Sequence, residues 1–194
     1  MKYIPNYLTI LRLLAVVAFV LLFFWVHPLA ALAVYILAGV TDVLDGYLAR
    51  RNGWITPLGK ILDPLADKLM QGTVLICFAV AAYMPFWLVI PFFAKEIAQA
   101  VLGYLMFKRR SVITVSRWYG KAALSVFFSA VIITVFLQVL WPGYRAVGII
   151  LNVLWLLTLL GMLAAFVAYL VLYIRLAAEI KKQRKGNVET TGKE

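Results

Sequence analysis

The sequence holds one cysteine, one histidine and only eight acidic residues in 194. Cys77, set inside an apolar run, has no second cysteine to bond and implies no redox chemistry, so it reads as a small packing residue. His27 stands beside Pro28 in a break between two apolar runs, where it reads as an interfacial turn residue with no chemistry assigned. No repeat of solenoid period, no low-complexity segment and no Gly-x3-Gly helix-interface motif is present. Charge of either sign is scarce at 14%, against 65% hydrophobic residues and a mean hydropathy of +0.96; a soluble domain is about 45–50% apolar.

What is abundant is long apolar runs. Bounded by charged or Pro/Gly breaks, they give six candidate spans at roughly 5–26, 29–49, 58–83, 86–107, 118–140 and 146–174, each long enough to cross a hydrocarbon core about 30 Å thick. Only helices or closed barrels satisfy the backbone in lipid, and unbroken apolar runs do not alternate as barrel strands do. The expected fold is therefore an all-α integral membrane protein with six transmembrane helices and a cytoplasmic-facing polar cavity. One membrane domain is expected over residues 1–185, with 186–194 as a disordered tail. The first run is too long for a signal-peptide core, and no polar mature segment follows it.

The net charge of +11 would raise nucleic acid as a partner of a soluble protein, but here the basic residues interrupt apolar spans and leave no basic helix free to enter a groove. Anionic lipid and anionic substrates account for it better. All of the 19 basic residues except Lys95 and Arg145 fall at the N-terminus, in the links 50–68 and 108–121, or in the tail. The positive-inside rule then places both termini and these links in the cytoplasm.

Four of the eight acidic residues are gathered in one short stretch. It reads Thr41-Asp42-Val43-Leu44-Asp45-Gly46-Tyr47-Leu48-Ala49-Arg50, then Gly59, then Asp63-Pro64-Leu65-Ala66-Asp67-Lys68. On helices, Asp42 and Asp45 lie about 60° apart in azimuth and Asp63 and Asp67 about 40° apart, so each pair shares a face. The intervening Asn52, Gly53, Trp54 and Pro57 are turn and headgroup-level residues that fold the two helices antiparallel and bring the pairs together. Carboxylates so placed repel by roughly 4 kcal/mol per pair at about 4 Å and an effective dielectric of about 20, and call for positive charge between them. Oxygen-only ligands select hard cations, and two divalent ions such as Mg²⁺ or Mn²⁺ balance four negative charges. Two metals held together suggest phosphate chemistry. The alternative is a set of helix-end carboxylates paired with Arg50, Arg51, Lys60 and Lys68, but intramembrane carboxylates default to function.

The pattern Asp-x2-Asp-Gly-x2-Ala-Arg-x8-Gly-x3-Asp-x3-Asp resembles the signature of the CDP-alcohol phosphatidyltransferase family, matched by Asp42, Asp45, Gly46, Ala49, Arg50, Gly59, Asp63 and Asp67. The resemblance implies a transferase of phospholipid biosynthesis using CDP-diacylglycerol, with Asp42, Asp45, Asp63 and Asp67 as ligands of the two metals and Asp67 as general base. It implies a nucleotide site at Thr41, Gly46, Ala49, Arg50 and Gly59, and a homodimer. Leu62-Asp63-Pro64-Leu65-Ala66-Asp67-Lys68 is most like the glycerol-3-phosphate-using branch, the phosphatidylglycerolphosphate synthases. Cardiolipin synthases of the same family carry the same string, so another alcohol acceptor stays open. A phospholipase D-type cardiolipin synthase is excluded, since it needs His-x-Lys-x4-Asp twice and His27 is followed by Pro28 and Leu29.

Three further features surround this stretch. In the basic segment 108–121, Arg110, Arg117 and Lys121 are candidates for an acceptor phosphate, with Arg117 and Lys121 sharing a helix face; Gly120-Lys121 matches a Gly-Lys common in the family. Pro5-Asn6-x2-Thr9-x2-Arg12 resembles the family's N-terminal pattern, and Asn6, Thr9 and Arg12 form a drifting polar stripe that faces either substrate phosphates or lipid headgroups. Lys95 and Glu96 interrupt the fourth run; as neighbours pointing in different directions they are not expected to pair with each other, which leaves an interhelical bond or a part in shaping the site. A channel or transporter would also explain six spans with intramembrane carboxylates, as would a membrane scaffold, but neither requires the fixed Gly, Ala and Arg positions.

Overall fold

In the computed structural model, which describes residues 4–52, 59–108 and 118–191, the apolar runs are helices: α1 (Ile4–Trp25), α2 (Pro28–Asn52), α3 (Gly59–Val80), α4 (Val89–Lys108), α5 (Trp118–Leu140) and α6 (Arg145–Thr191). No strand occurs among the described residues. Two segments, Ala122–Leu140 and Arg145–Leu172, are by themselves long and apolar enough to cross a membrane, and Thr9–Trp25 and Pro28–Leu44 are shorter apolar stretches. Large apolar side chains such as Leu14, Val17, Leu37, Ile97, Ile149 and Leu157 are exposed, as helices that face lipid require.

Local chemistry sets the breaks. Pro28 opens α2, where its missing N–H costs nothing, and the Leu29 N–H donates to His27 Nδ1 at 3.2 Å, so His27 caps the helix start. At the end of α3 the Tyr83 N–H reaches back to the Phe78 carbonyl at 2.8 Å and the Ala82 N–H to that of Ala79 at 3.2 Å. This is a Schellman cap with Ala82, at φ 58°, in the left-handed position glycine normally fills. A 3₁₀ turn, Phe86–Leu88, leads into α4. Between α5 and α6, Pro142 and Gly143 (φ 78°) form the centre of a turn closed by the Tyr144 N–H on the Trp141 carbonyl at 3.4 Å; proline first and positive-φ glycine second is the type II arrangement.

The chain divides into two compact units, Met1–Val89 with Val131–Asn152, and Ile90–Ala130 with Val153–Glu194. In the first, α1 packs against both α2 and α3. Its apolar end is an aromatic cluster in which Phe23 meets Phe19 and Phe78 at 5.7 Å and Tyr83 edge-on at 5.6 Å, with Tyr35 against Phe19 at 6.2 Å. Cys77 is buried in this unit, in keeping with a packing role. The cluster fixes the three helices at one end, and the polar residues at their other end inherit that register.

In the second unit Phe127 stacks on Phe92 and meets Trp155 edge-on, each at 5.8 Å. Lys95, which is buried, and Glu96, which is partly buried, form an ion pair with each other on α4, and Lys95 Nζ also lies 5.4 Å from the centre of the Phe92 ring. This corrects the expectation that sequence neighbours on a helix do not pair. Their Cβ atoms do diverge, but the four-carbon lysine stem is long enough to curl back, and burial makes a bare charge more costly than a bent side chain.

Candidate active site

The acidic stretch lies in the first unit, and α1 is the element that organises it. Thr9 and Arg12, one turn apart on α1, are both buried. The Thr9 hydroxyl donates to Asp63 Oδ1 on α3 at 2.5 Å, and Arg12 Nη2 pairs with Asp42 Oδ1 on α2 at 2.7 Å. One face of one helix therefore holds one carboxylate from each arm of the hairpin. Asp67, a turn beyond Asp63, is within electrostatic reach of both Asp42 and Arg12 and accepts a hydrogen bond at Oδ2 from Gln71 Nε2 at 2.9 Å. Tyr35 on α2 is buried and also within electrostatic reach of Asp67.

Burial is graded across the cluster. The Arg12 side chain is 4% exposed, whereas that of Asp42 is 46% exposed, and Asp63 and Asp67 are half-buried. Asp42, Asp63 and Asp67 are thus each held by a donor and remain partly exposed. A buried guanidinium drawn against the acidic cluster is what its negative potential demands, and donors that are all carboxylate oxygens fit a hard divalent cation in kind. Among the described residues no three acidic side chains stand close enough to hold a metal ion; the side chain of Asp45 lies outside those described.

The other expected site residues divide into those the structure describes and those it does not. Thr41 Oγ1 shares its proton between the backbone carbonyls of Leu37 and Ala38, at 2.9 Å each, so toward a ligand it offers lone pairs only. Gly46, Ala49 and Arg50 belong to α2, Gly59 opens α3, Asn6 belongs to α1 and Lys121 to α5, but their side-chain surroundings lie outside the described residues. Arg110 and Arg117 fall wholly outside them, as does Pro57, expected to start α3.

Two features escaped sequence reasoning. Thr9 and Arg12 face the carboxylates, an option beyond the two the polar stripe suggested. Gln71 was not singled out, although its signal was present: Asp63, Asp67 and Gln71 are spaced i, i+4, i+8, so a polar residue in an apolar stretch continues the acidic face by one more turn.

A family model described as CDP-alcohol phosphatidyltransferase matches residues 2–159. The chain belongs to the CDP-alcohol phosphatidyltransferase family. Among its relatives, proteins named CDP-diacylglycerol--glycerol-3-phosphate 3-phosphatidyltransferase from Rickettsia bellii and Pseudomonas fluorescens are each 46% identical. The first match runs over 76 residues, 38% of this chain and 42% of that protein; the second over 92 residues, 45% and 46%. The matched stretch thus spans less than half the length of either. A protein of the same name from Sodalis glossinidius is 38% identical over 127 residues, 61% of this chain and 68% of its own length. The stretch matched by the model of this CDP-alcohol phosphatidyltransferase family includes the cluster gathered by α1.

Proposed function

We propose that the protein transfers the phosphatidyl group of CDP-diacylglycerol to a hydroxyl of glycerol 3-phosphate, giving phosphatidylglycerol phosphate and CMP. The observation that carries this reading is that Thr9 and Arg12 hold Asp63 and Asp42, one from each helix of the hairpin, with Asp67 in electrostatic reach. The names of the relatives support the choice of acceptor.

In this reading the acceptor oxygen attacks the phosphorus bonded to diacylglycerol, the bond from that phosphorus to the CMP oxygen breaks, and the hydroxyl proton passes to the Asp67 carboxylate. Asp42, Asp45, Asp63 and Asp67 would hold two divalent cations, Mg²⁺ or Mn²⁺, which when bound neutralise the diphosphate. Thr9 and Arg12 keep Asp63 and Asp42 in place before the substrate arrives, so little reorganisation is left to the reaction itself. Gly46, Ala49 and Gly59 leave room for the nucleotide, Thr41 accepts a hydrogen bond from it, and Arg50 binds its phosphate. Arg110, Arg117 and Lys121 are the cations assigned to the phosphate of the acceptor.

The six helices cross the bilayer as one membrane domain over residues 1–185, beyond which α6 continues to Thr191. The termini and a polar cavity containing the site face the cytoplasm, where the basic residues concentrate. The lipid chains of CDP-diacylglycerol stay in the bilayer, and the family resemblance favours a homodimer. The test is CMP release and lipid product from purified protein given CDP-diacylglycerol and Mg²⁺ with either glycerol 3-phosphate or phosphatidylglycerol. Product with glycerol 3-phosphate supports the reading. Preference for phosphatidylglycerol makes the protein a cardiolipin synthase, and no CMP with either acceptor overturns phosphatidyl transfer to both.

A further inference from the structure

Gln71 is a polar side chain where packing asks for none. It sits on α3 among Met70, Val74 and Leu75, all buried, and is itself 2% exposed. Its Nε2 donates to Asp67 Oδ2 at 2.9 Å, and its Oε1 is buried and accepts no hydrogen bond among the described residues. A buried amide that serves the fold ties two elements together and uses both ends. Among the described residues this one uses one end, on its own helix, and makes no hydrogen bond to α1 or α2.

The bond does have a consequence for Asp67. It occupies one oxygen of the carboxylate and fixes the carboxylate plane about the Cβ–Cγ axis, a broad torsion that is otherwise loosely set. The second oxygen keeps its lone pairs in a defined direction. A carboxylate that must take a proton from an incoming hydroxyl benefits from that restraint, because proton transfer needs heavy atoms held at hydrogen-bonding distance and angle.

We infer that Gln71 is a positioning residue for Asp67, acting on phosphatidyl transfer only through the orientation of that carboxylate. The inference rests on the proposed role of Asp67 as the group that receives the acceptor proton. Gln71 touches no reacting atom in this account. An apolar side chain of the same length would suit its surroundings of Met70, Val74 and Leu75 better.

The test compares wild type with Gln71→Met, which keeps length and removes the donor, and with Gln71→Asn, which keeps the amide but is one methylene too short to reach. With CDP-diacylglycerol and glycerol 3-phosphate, both variants should lose about 10- to 100-fold in kcat, the loss of one hydrogen bond to a charged group. The KM for CDP-diacylglycerol should not change, and the midpoint of thermal unfolding of Gln71→Met should stay level or rise. In an Asp67→Asn background, Gln71→Met should remove less than about a further twofold, since a residue acting through Asp67 has nothing left to act on. Wild-type kcat in both variants overturns the inference, as does a fully additive loss on top of Asp67→Asn, or a joint fall in kcat, lipid affinity and unfolding midpoint. A wild-type protein that releases no CMP would instead overturn the reaction assignment, so the two failures are told apart before any variant is made.

Discussion

Arg12 and Asp42 are joined at 2.7 Å between α1 and α2, with the guanidinium side almost fully buried and the carboxylate side nearly half exposed. The two ends of this pair are therefore not equivalent. Removing the carboxylate leaves a positive charge in a place that cannot hydrate it, whereas removing the guanidinium leaves a carboxylate that water can reach.

That asymmetry gives the first expectation. Asp42→Ala should destabilise the detergent-solubilised protein toward the lower end of the about 3–5 kcal/mol seen when one partner of a buried pair is lost. Arg12→Met should cost about 1 kcal/mol or less, as for a pair whose remaining member is solvated. Thermal unfolding in the presence of a chelator reads both without any contribution from metal. Equal losses would mean that the guanidinium is not held by Asp42.

Thr9→Val tests the second clamp. Valine matches threonine in shape, so the buried position stays filled, while Asp63 loses the donor that the hydroxyl provides at 2.5 Å. A hydrogen bond to a charged group is worth about 1.5–3 kcal/mol, so turnover should fall about 10- to 100-fold and half-saturation by Mn²⁺, followed by electron paramagnetic resonance, should need more metal. Thr9→Ser, which keeps the hydroxyl, should recover most of both. A valine variant that binds Mn²⁺ and turns over like wild type would leave Thr9 as a packing residue.

How these contacts arise also marks what the sequence could and could not tell. The apolar runs and their breaks anticipated where the six described helices begin to within a few residues, because in lipid a long apolar run has no other way to satisfy its backbone; the end of α6 was not legible in this way, since the helix runs on through the basic residues to Thr191, well past the apolar run that closes at 174. The four-residue spacing of Asp63 and Asp67 set out an acidic face on α3 because periodicity along one helix is a local property. What Thr9 and Arg12 touch depends on the rotation of α1 against α2 and α3, set by the aromatic packing of Phe19, Phe23, Tyr35 and Phe78, and a single helix pattern carries no record of it. The Lys95–Glu96 pair is not legible in the sequence because Cβ direction does not settle where a flexible side chain ends.

Ala82 offers a test of the fold apart from the chemistry. It occupies the left-handed position of the α3 cap at φ 58°, where a Cβ costs roughly 1–2 kcal/mol and glycine pays no such steric penalty. Part of that gain is lost to the greater freedom of glycine in the unfolded chain. Ala82→Gly should therefore stabilise by about 1 kcal/mol, or raise the unfolding midpoint by about 2–4 °C for a chain of this size, with turnover unchanged. A lower midpoint would show that the cap is not the conformation the turn holds.

Asp67→Asn separates proton transfer from binding. The substitution is isosteric, and the new side chain can still present an oxygen to the Gln71 amide, so the packing of α3 should persist. It cannot take a proton at neutral pH. General-base catalysis contributes about 10²–10⁴-fold, and turnover should fall by that factor. The affinity for CDP-diacylglycerol should change little, because Asp42 and Asp63 remain held by Arg12 and Thr9. Excess EDTA should abolish the activity of the wild-type protein, and full activity under chelation would end the divalent-cation reading. In the variant, lipid binding followed separately from CMP release decides between the two roles open to Asp67. A variant that binds the nucleotide lipid normally and turns over slowly at saturation has lost its base. If binding is lost but turnover at saturating substrate recovers, Asp67 is a ligand alone, and the hydroxyl proton must leave by another group in the cluster.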